Sequence, residues 1–240
     1  MEKIAFLPDL HAYDHDPRAV KLAANITAAF RPDRIIWLGD VLDAWWATTR
    51  FRRDPEILTG AARKERDIWD RIRPMFRARH VQVIPGNHDA RLIEVQDREP
   101  ELKGCEDLDI ESVLCPSGEE YIGAGFVRLA DGELTATHGV YVGANSAKRE
   151  IARWGTSVVC GHDHTLAKYY QRDSVGVKVA VHAGHLAMNP PRYRRLNDPA
   201  PQTWMAGMVV GYVHGNQFHL QDIPFTHSYR AMLDGKVFSA

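Results

Sequence analysis

Five short apolar runs, each stopped by a small cluster of Asp, Asn, Gly or His, limit what this chain can fold into. Ile4 to Leu7 leads into Asp9-Leu10-His11, and Ile35 to Leu38 into Gly39-Asp40-Val41-Leu42-Asp43. Val81 to Ile84 leads into Gly86-Asn87-His88-Asp89, Leu134 to Thr137 into His138-Gly139, and Val158 to Cys160 into Gly161-His162-Asp163-His164. Apolar runs this short, bounded by turn-forming residues, have the length of buried strands. Helical patterns separate the first three. Asp16-Pro17 offers a cap and a first-turn proline, followed by Val20, Ala23, Ala24, Ile26, Thr27 and Phe30 on one face. Asp54-Pro55 opens a second helix with Ile57, Leu58, Ala61, Ile68, Trp69 and Ile72 on one side, and Pro74 kinks or ends it. Such strand–helix–strand alternation predicts α/β layering with parallel strands. Each polar cluster then falls in a loop at a sheet's edge.

Residues from about Asp89 to Cys115 read as short helices. Phe126 to Leu129 and Leu134 to Thr137 flank Asp131-Gly132 as a hairpin, and a helix from Asn145 to Trp154 stops at Gly155. Val177 to Val181, Met208 to Val213 and Phe218 to Ile223 read as strands, with a turn at His214-Gly215-Asn216-Gln217. There is no internal repeat, low-complexity tract or linker, and metal-ligand residue types occur in both halves. The expectation is one domain over residues 1–240 with its site between two sheets.

A chain of 240 residues that is 45% hydrophobic can bury one sizeable core. Its formal net charge of -1 supplies no global field toward nucleic acid or anionic membrane, although a local basic patch stays open. Three cysteines, an odd and small number, suit a reducing compartment better than a disulfide scaffold. Met1 to Leu7 enters a strand directly, without the apolar stretch of a signal peptide, and no segment has the length to span a bilayer. A soluble, cytoplasmic protein with no membrane partner is expected.

The clusters carry the chemistry of hard divalent cations, which take carboxylate oxygens and imidazole nitrogens. No cysteine lies in them, against a structural zinc site. Asp9 and His11 are two apart and share a face if their loop is extended. Gly39 lets the backbone turn sharply before Asp40, whose carboxylate is placed to bridge two ions. Asn87, His138, His162 and His164 complete two coordination spheres. Taken singly each motif is weak, since a lone histidine is usually a satisfied polar residue; taken jointly they are strong.

The ordered set resembles that of the calcineurin-like metallophosphoesterases: Asp-x-His, Gly-Asp-x-x-Asp, Gly-Asn-His-Asp, a lone His, then Gly-His-x-His. The resemblance implies a four-layer α-β-β-α sandwich of two mixed sheets flanked by helices. It implies one divalent ion held by Asp9, His11, Asp40 and His164, and a second by Asp40, Asn87, His138 and His162. Manganese is the expected ion, with iron, zinc, nickel or magnesium as alternatives. Such a pair orients the phosphoryl group and lowers the pKa of a bridging water, whose hydroxide attacks phosphorus. His88 is the implied proton donor to the leaving group, Asp43 the carboxylate that orients it, and Asp89 a structural loop acceptor. Looser similarity links the runs Thr49-Arg50-Phe51, Gly86 to Leu92 and Ser146-Ala147-Lys148 to small metallophosphoesterases often encoded by bacteriophages. For such a protein the compartment is the host-cell cytoplasm.

The substrate is less legible. Protein Ser/Thr phosphatases continue the second motif with Arg-Gly, whereas Asp43 is followed by Ala44-Trp45-Trp46. That departure favours phosphodiesters, of nucleotides or nucleic acid, over phosphomonoesters. Trp45 either walls a base-stacking site together with Trp46 or packs with it under the following helix. Arg50, Arg52 and Arg53 either meet substrate phosphate or form a solvated run. Asn87 and His88 complete the expected substrate contacts. A phosphomonoesterase, a nucleotide pyrophosphohydrolase, and a non-catalytic metal-binding nucleic-acid adaptor are the alternatives; oligomeric state is not indicated.

Overall fold

A computed structural model describes residues 1–48, 55–189 and 203–240. Four parallel strands form the body of the first sheet: β1 (Glu2–Leu7), β2 (Arg34–Trp37), β3 (His80–Val83) and β4 (Glu120–Tyr121). Two antiparallel strands from the far end of the chain, β10 (Gly207–His214) and β11 (Gln217–Pro224), extend it beside β1. The order is β11-β10-β1-β2-β3-β4. The second sheet, in order β5-β6-β7-β9-β8, comprises β5 (Phe126–Leu129), β6 (Leu134–Thr137), β7 (Ser157–Cys160), β9 (Val177–Ala183) and β8 (Leu166–Arg172). Its three inner strands are parallel and its two edge strands antiparallel.

Strand alternation sorts the side chains into two apolar layers. Ile4, Phe6, Ile36, Leu38 and Val209 point from the first sheet toward Leu134, Ala136, Val159, Val181 and Ala183 of the second. Their neighbours Ala5, Leu7, Ile35, Trp37 and Val210 point the other way, onto α1 (Pro17–Phe30) and α2 (Pro55–Ile72). Helix α3 (Ser146–Trp154) covers the outer side of the second sheet. The result is the expected α-β-β-α sandwich of two mixed sheets.

Local chemistry sets the helix ends. Asp16 Oδ1 accepts the backbone N–H of Arg18 and of Ala19 at 2.9 and 3.2 Å, Pro17 occupies the first turn, and α1 ends where Arg31 turns left-handed. In α2, Leu58, Ala62, Glu65, Trp69 and Ile72 form the buried stripe, at spacings of three and four residues. Ile57, expected on that stripe, is instead 60% exposed, because the stripe passes through Leu58 one residue on. Pro74 lies in the 3₁₀ turn that closes the helix. Edge strands β4 and β8 and the hairpin β12 (Arg230–Leu233)–β13 (Lys236–Ser239), which packs on α1, lacked a clear sequence signal.

Candidate metal centre

Every polar cluster lies beyond the carboxyl end of a parallel strand: β1, β2 and β3 in one sheet, β6 and β7 in the other. The ends of both sheets open on the same side, so the loops meet there. Asp9, His11, Asp40 and His164 bring one ligand atom each within 4.8 Å of one another, and Asp40, His138 and His162 do the same. Asp40 belongs to both groups. Asn87 joins the second, its Oδ1 3.0 Å from His138 Nε2.

The backbone is bent to achieve this. Asp9, His11, Asp40, His162 and His164 all have positive φ, from 33° to 69°, a region costly for residues with a side chain. The first loop is therefore not extended, and Asp9 and His11 converge through these left-handed turns. Two glycines make room: a Cβ on Gly86 would run into Asp40, and one on Gly161 into the Asp9 carboxylate. The carboxylates are also held by backbone donors. His162 N–H reaches both oxygens of Asp9 at 3.0 Å, and His88 N–H reaches Asp40 Oδ1 at 2.8 Å.

Hydrogen bonding leaves the inner atoms short of donors. His138 Nδ1 lies 2.8 Å from the Leu38 carbonyl, which requires a proton on that nitrogen. Its Nε2 then meets Asn87 Oδ1 at 3.0 Å, His162 Nδ1 at 3.1 Å and Asp40 Oδ2 at 3.5 Å. His11 Nδ1 faces Asp43 Oδ1 at 3.2 Å, which turns its Nε2 toward His164 Nε2 at 3.1 Å. His164 Nδ1 is buried with no hydrogen-bond partner among the described residues. Lone pairs converging in this way fit a divalent cation in each group. Burial opposes charge on His138, but Asp40 and Asp9 beside it raise its pKa to about 10. Burial is likewise outweighed at Asp40 by His138 and His11, and at Asp9 by His164, so both carboxyls stay below their usual range.

His88 sits at the mouth, its ring edge-on to His11 with centroids 4.6 Å apart. Its Nδ1 is 2.8 Å from the Asp43 carbonyl and 3.3 Å from the Asp43 carboxylate. Asp43 thus faces His11 and His88 together. Burial disfavours charge on His88, yet Asp43 and Asp40 raise its pKa above the ordinary value. Asp89 is fully buried and accepts backbone N–H groups from Gly86, Val41 and Leu42, tying two loops together. Trp46 packs under α2 while Trp45 stays 38% exposed. Arg50, Arg52 and Arg53 lie outside the described residues.

Several supporting residues surround the site, of which Glu65 and Glu150 carried no sequence signal of their own. Buried Glu65 of α2 accepts the N–H groups of Asp43 and Ala44 and the indole N–H of Trp46, the last at 2.8 Å. Arg91 NH1 donates to the Asp43 carbonyl at 2.8 Å. Trp204 sets its ring 4.1 Å from that of His164, and the buried His185 ring lies 5.4 Å away. Glu150 receives the N–H groups of Val140 and Tyr141, and Asp163 those of Gly143 and the Ser146 hydroxyl, fixing the loop beyond His138.

Residues 2–166 match the family profile of the calcineurin-like phosphoesterases. No curated protein matches the chain. Among solved structures, Vps29 of Chaetomium thermophilum covers 100% of this chain and 99% of its own, at 10% identity and a TM-score of 0.53. Vps29 of Cryptosporidium parvum covers 100% and 95%, at 14% identity and a TM-score of 0.51. YfcE, a phosphoesterase from E. coli, covers 87% of each chain at 16% identity and a TM-score of 0.41. At such identities the likeness concerns the fold alone.

Proposed function

Because the chain belongs to the calcineurin-like phosphoesterase family, we propose that it hydrolyses phosphodiesters of nucleotides or nucleic acid with the help of two divalent cations. The observation that carries the reading is the shared Asp40, a member of both groups of converging ligand atoms. Asp9, His11, Asp40 and His164 would hold one ion, and Asp40, Asn87, His138 and His162 the other. Bound there, paired cations polarise the phosphoryl oxygens and lower the pKa of water. Manganese is the proposed ion, since mixed carboxylate and imidazole ligands suit it and selection among such metals follows availability.

The chain's own groups supply the rest. His88 has Nδ1 committed to Asp43, so Nε2 is the atom that gives a proton to the departing oxygen. Asp43 holds both that ring and the ring of His11 in place, and Glu65 and Arg91 hold Asp43. The chain carries Ala44 where an arginine would favour a phosphomonoester dianion, which supports the diester reading. The finer likeness to small bacteriophage enzymes rests on the motif runs alone.

Turnover of bis(p-nitrophenyl) phosphate and of p-nitrophenyl phosphate, each with added manganese, tests the proposal. Faster hydrolysis of the diester is expected. A monoester turned over much faster would replace the diester reading, and an inactive protein with both cations demonstrably bound would end the enzymatic one.

A further inference from the structure

One buried histidine stands beside the candidate centre without belonging to either group of ligand atoms. His185 follows the end of β9, is 1% exposed, and has no hydrogen-bond partner at either ring nitrogen among the described residues. The Ala187 carbonyl stands near the ring without closing a bond. A buried polar group left in that state is costly, and in a native fold it marks a place where a further partner is received.

The backbone holds this histidine against the ligands of one cation. Leu186 N–H donates to the Asp9 carbonyl at 3.0 Å, Gly207 N–H to that of His185 at 3.3 Å, and Met205 N–H to that of His164 at 2.9 Å. Gly184, at φ 83°, lets the chain pass the Met205 carbonyl, which a Cβ there would meet at 2.7 Å. The His185 ring is thereby set 5.4 Å from that of His164 and tilted by 33°. Trp204 closes over the pair, its ring 4.1 Å from that of His164 and 5.7 Å from that of His185.

His164 turns Nε2 inward, 3.1 Å from His11 Nε2 and 3.4 Å from Asp9 Oδ1. A histidine that holds a cation through one nitrogen carries its proton on the other, and that N–H nearly always goes to a carboxylate, a carbonyl or water. Among the described residues no carboxylate or carbonyl takes the Nδ1–H of His164. The neighbouring ring with nitrogens in the same condition is His185. A water between the two rings has His164 Nδ1, a ring nitrogen of His185 and the Ala187 carbonyl to bond, and buried waters typically make about three such bonds. We propose that His185 is the outer partner of His164, joined to its Nδ1–H through a buried water, and that it orients this ligand for the cation shared with Asp9, His11 and Asp40. It is a positioning residue, acting on the cation only through His164. The inference rests on the two-cation reading.

Manganese binding to the whole protein, followed by calorimetry, tests the effect on the cation. In His185→Leu one of the two binding events should weaken about 10–100-fold, the usual cost of losing such a partner, while the other stays as it was. His162→Ala, which lacks a ligand of the other cation alone, identifies the event that belongs to His164. His185→Asn and His185→Gln return an amide near one or the other ring nitrogen, and one of them should recover most of the affinity. Unchanged binding in His185→Leu, or equal loss of both cations in all three variants, overturns the proposal. The pairing itself is read without any cation, by nitrogen NMR of the imidazoles in chelator. A hydrogen-bonded Nδ1 of His164 that becomes free in His185→Leu supports the pairing even where the wild type binds no manganese, an outcome that sinks only the two-cation reading. A His164 Nδ1 resonance that ignores the substitution overturns it.

Discussion

Asp40 and His88 separate binding from chemistry at the scale of single residues. Asp40 serves both proposed cation positions, so Asp40→Asn should lower the content of each ion, measured by elemental analysis after dialysis. The His88 ring meets the ligand residues only at the edge of His11, and its contact with Asp40 is through the backbone N–H, which alanine keeps, so His88→Ala should keep its metal while turnover drops about 10²–10⁴-fold. Parallel loss of metal in His88→Ala would mean that the donor assignment is wrong. Glu65 holds the loop under both residues. Glu65→Gln keeps its size but weakens an acceptor for three buried N–H groups, and a loss of about 1–3 kcal/mol in urea unfolding is expected. The ligand types were legible because Asp, Asn and His recur at strand ends in order. Glu65 was not: it sits in the run Arg63-Lys64-Glu65-Arg66, which reads as solvated, and only its register with Leu58, Ala62 and Trp69 betrays it.

Elements with a continuous apolar run or a long amphipathic face were readable, and those with neither were missed. Strands β1, β2 and β7 are continuous apolar runs because sheets or helices cover both their faces. Strand β8 is an edge strand with largely exposed side chains, so no alternation marks it. The β12–β13 hairpin turns at Asp234-Gly235, both with positive φ, the pattern of a two-residue hairpin loop. That turn signal was in the sequence, but the strands it joins bury only Ala231 and Leu233 and offer no continuous apolar run. The hairpin's approach then reaches back to the first helix. Tyr229 Oη donates to Asp16 Oδ2 while Oδ1 of the same carboxylate caps α1. Asp16→Ala should therefore cost about 1 kcal/mol for the cap, plus a further share for the tyrosine bond. Thermal unfolding of Asp16→Ala, Tyr229→Phe and the double variant measures the coupling, and strictly additive losses would mean that the tyrosine contact contributes nothing.

Across the whole molecule, the candidate centre is a seam. Asp9, His11, Asp40 and Asn87 come from loops of one sheet, and His138, His162 and His164 from the other. Cations bound there would tie the sheets together, and anything that binds only the folded state raises its stability. With manganese at a hundred times its dissociation constant, each independent site adds about 2.7 kcal/mol. Melting temperature should rise with manganese, fall with chelator, and respond less in Asp40→Asn. An unchanged melting temperature in the wild type would argue against cations between the sheets. No helix among the described residues is long and apolar enough to cross a membrane. The topology has a separate consequence for biosynthesis. Strand β1 lies between β2 and β10, yet β10 begins only at Gly207. As the chain emerges from a ribosome, one side of β1 must stay unpaired until most of the polypeptide has followed. Such a nascent chain exposes a sticky edge for many seconds at ordinary translation rates of about 5–20 residues per second, the interval in which a chaperone has most to protect.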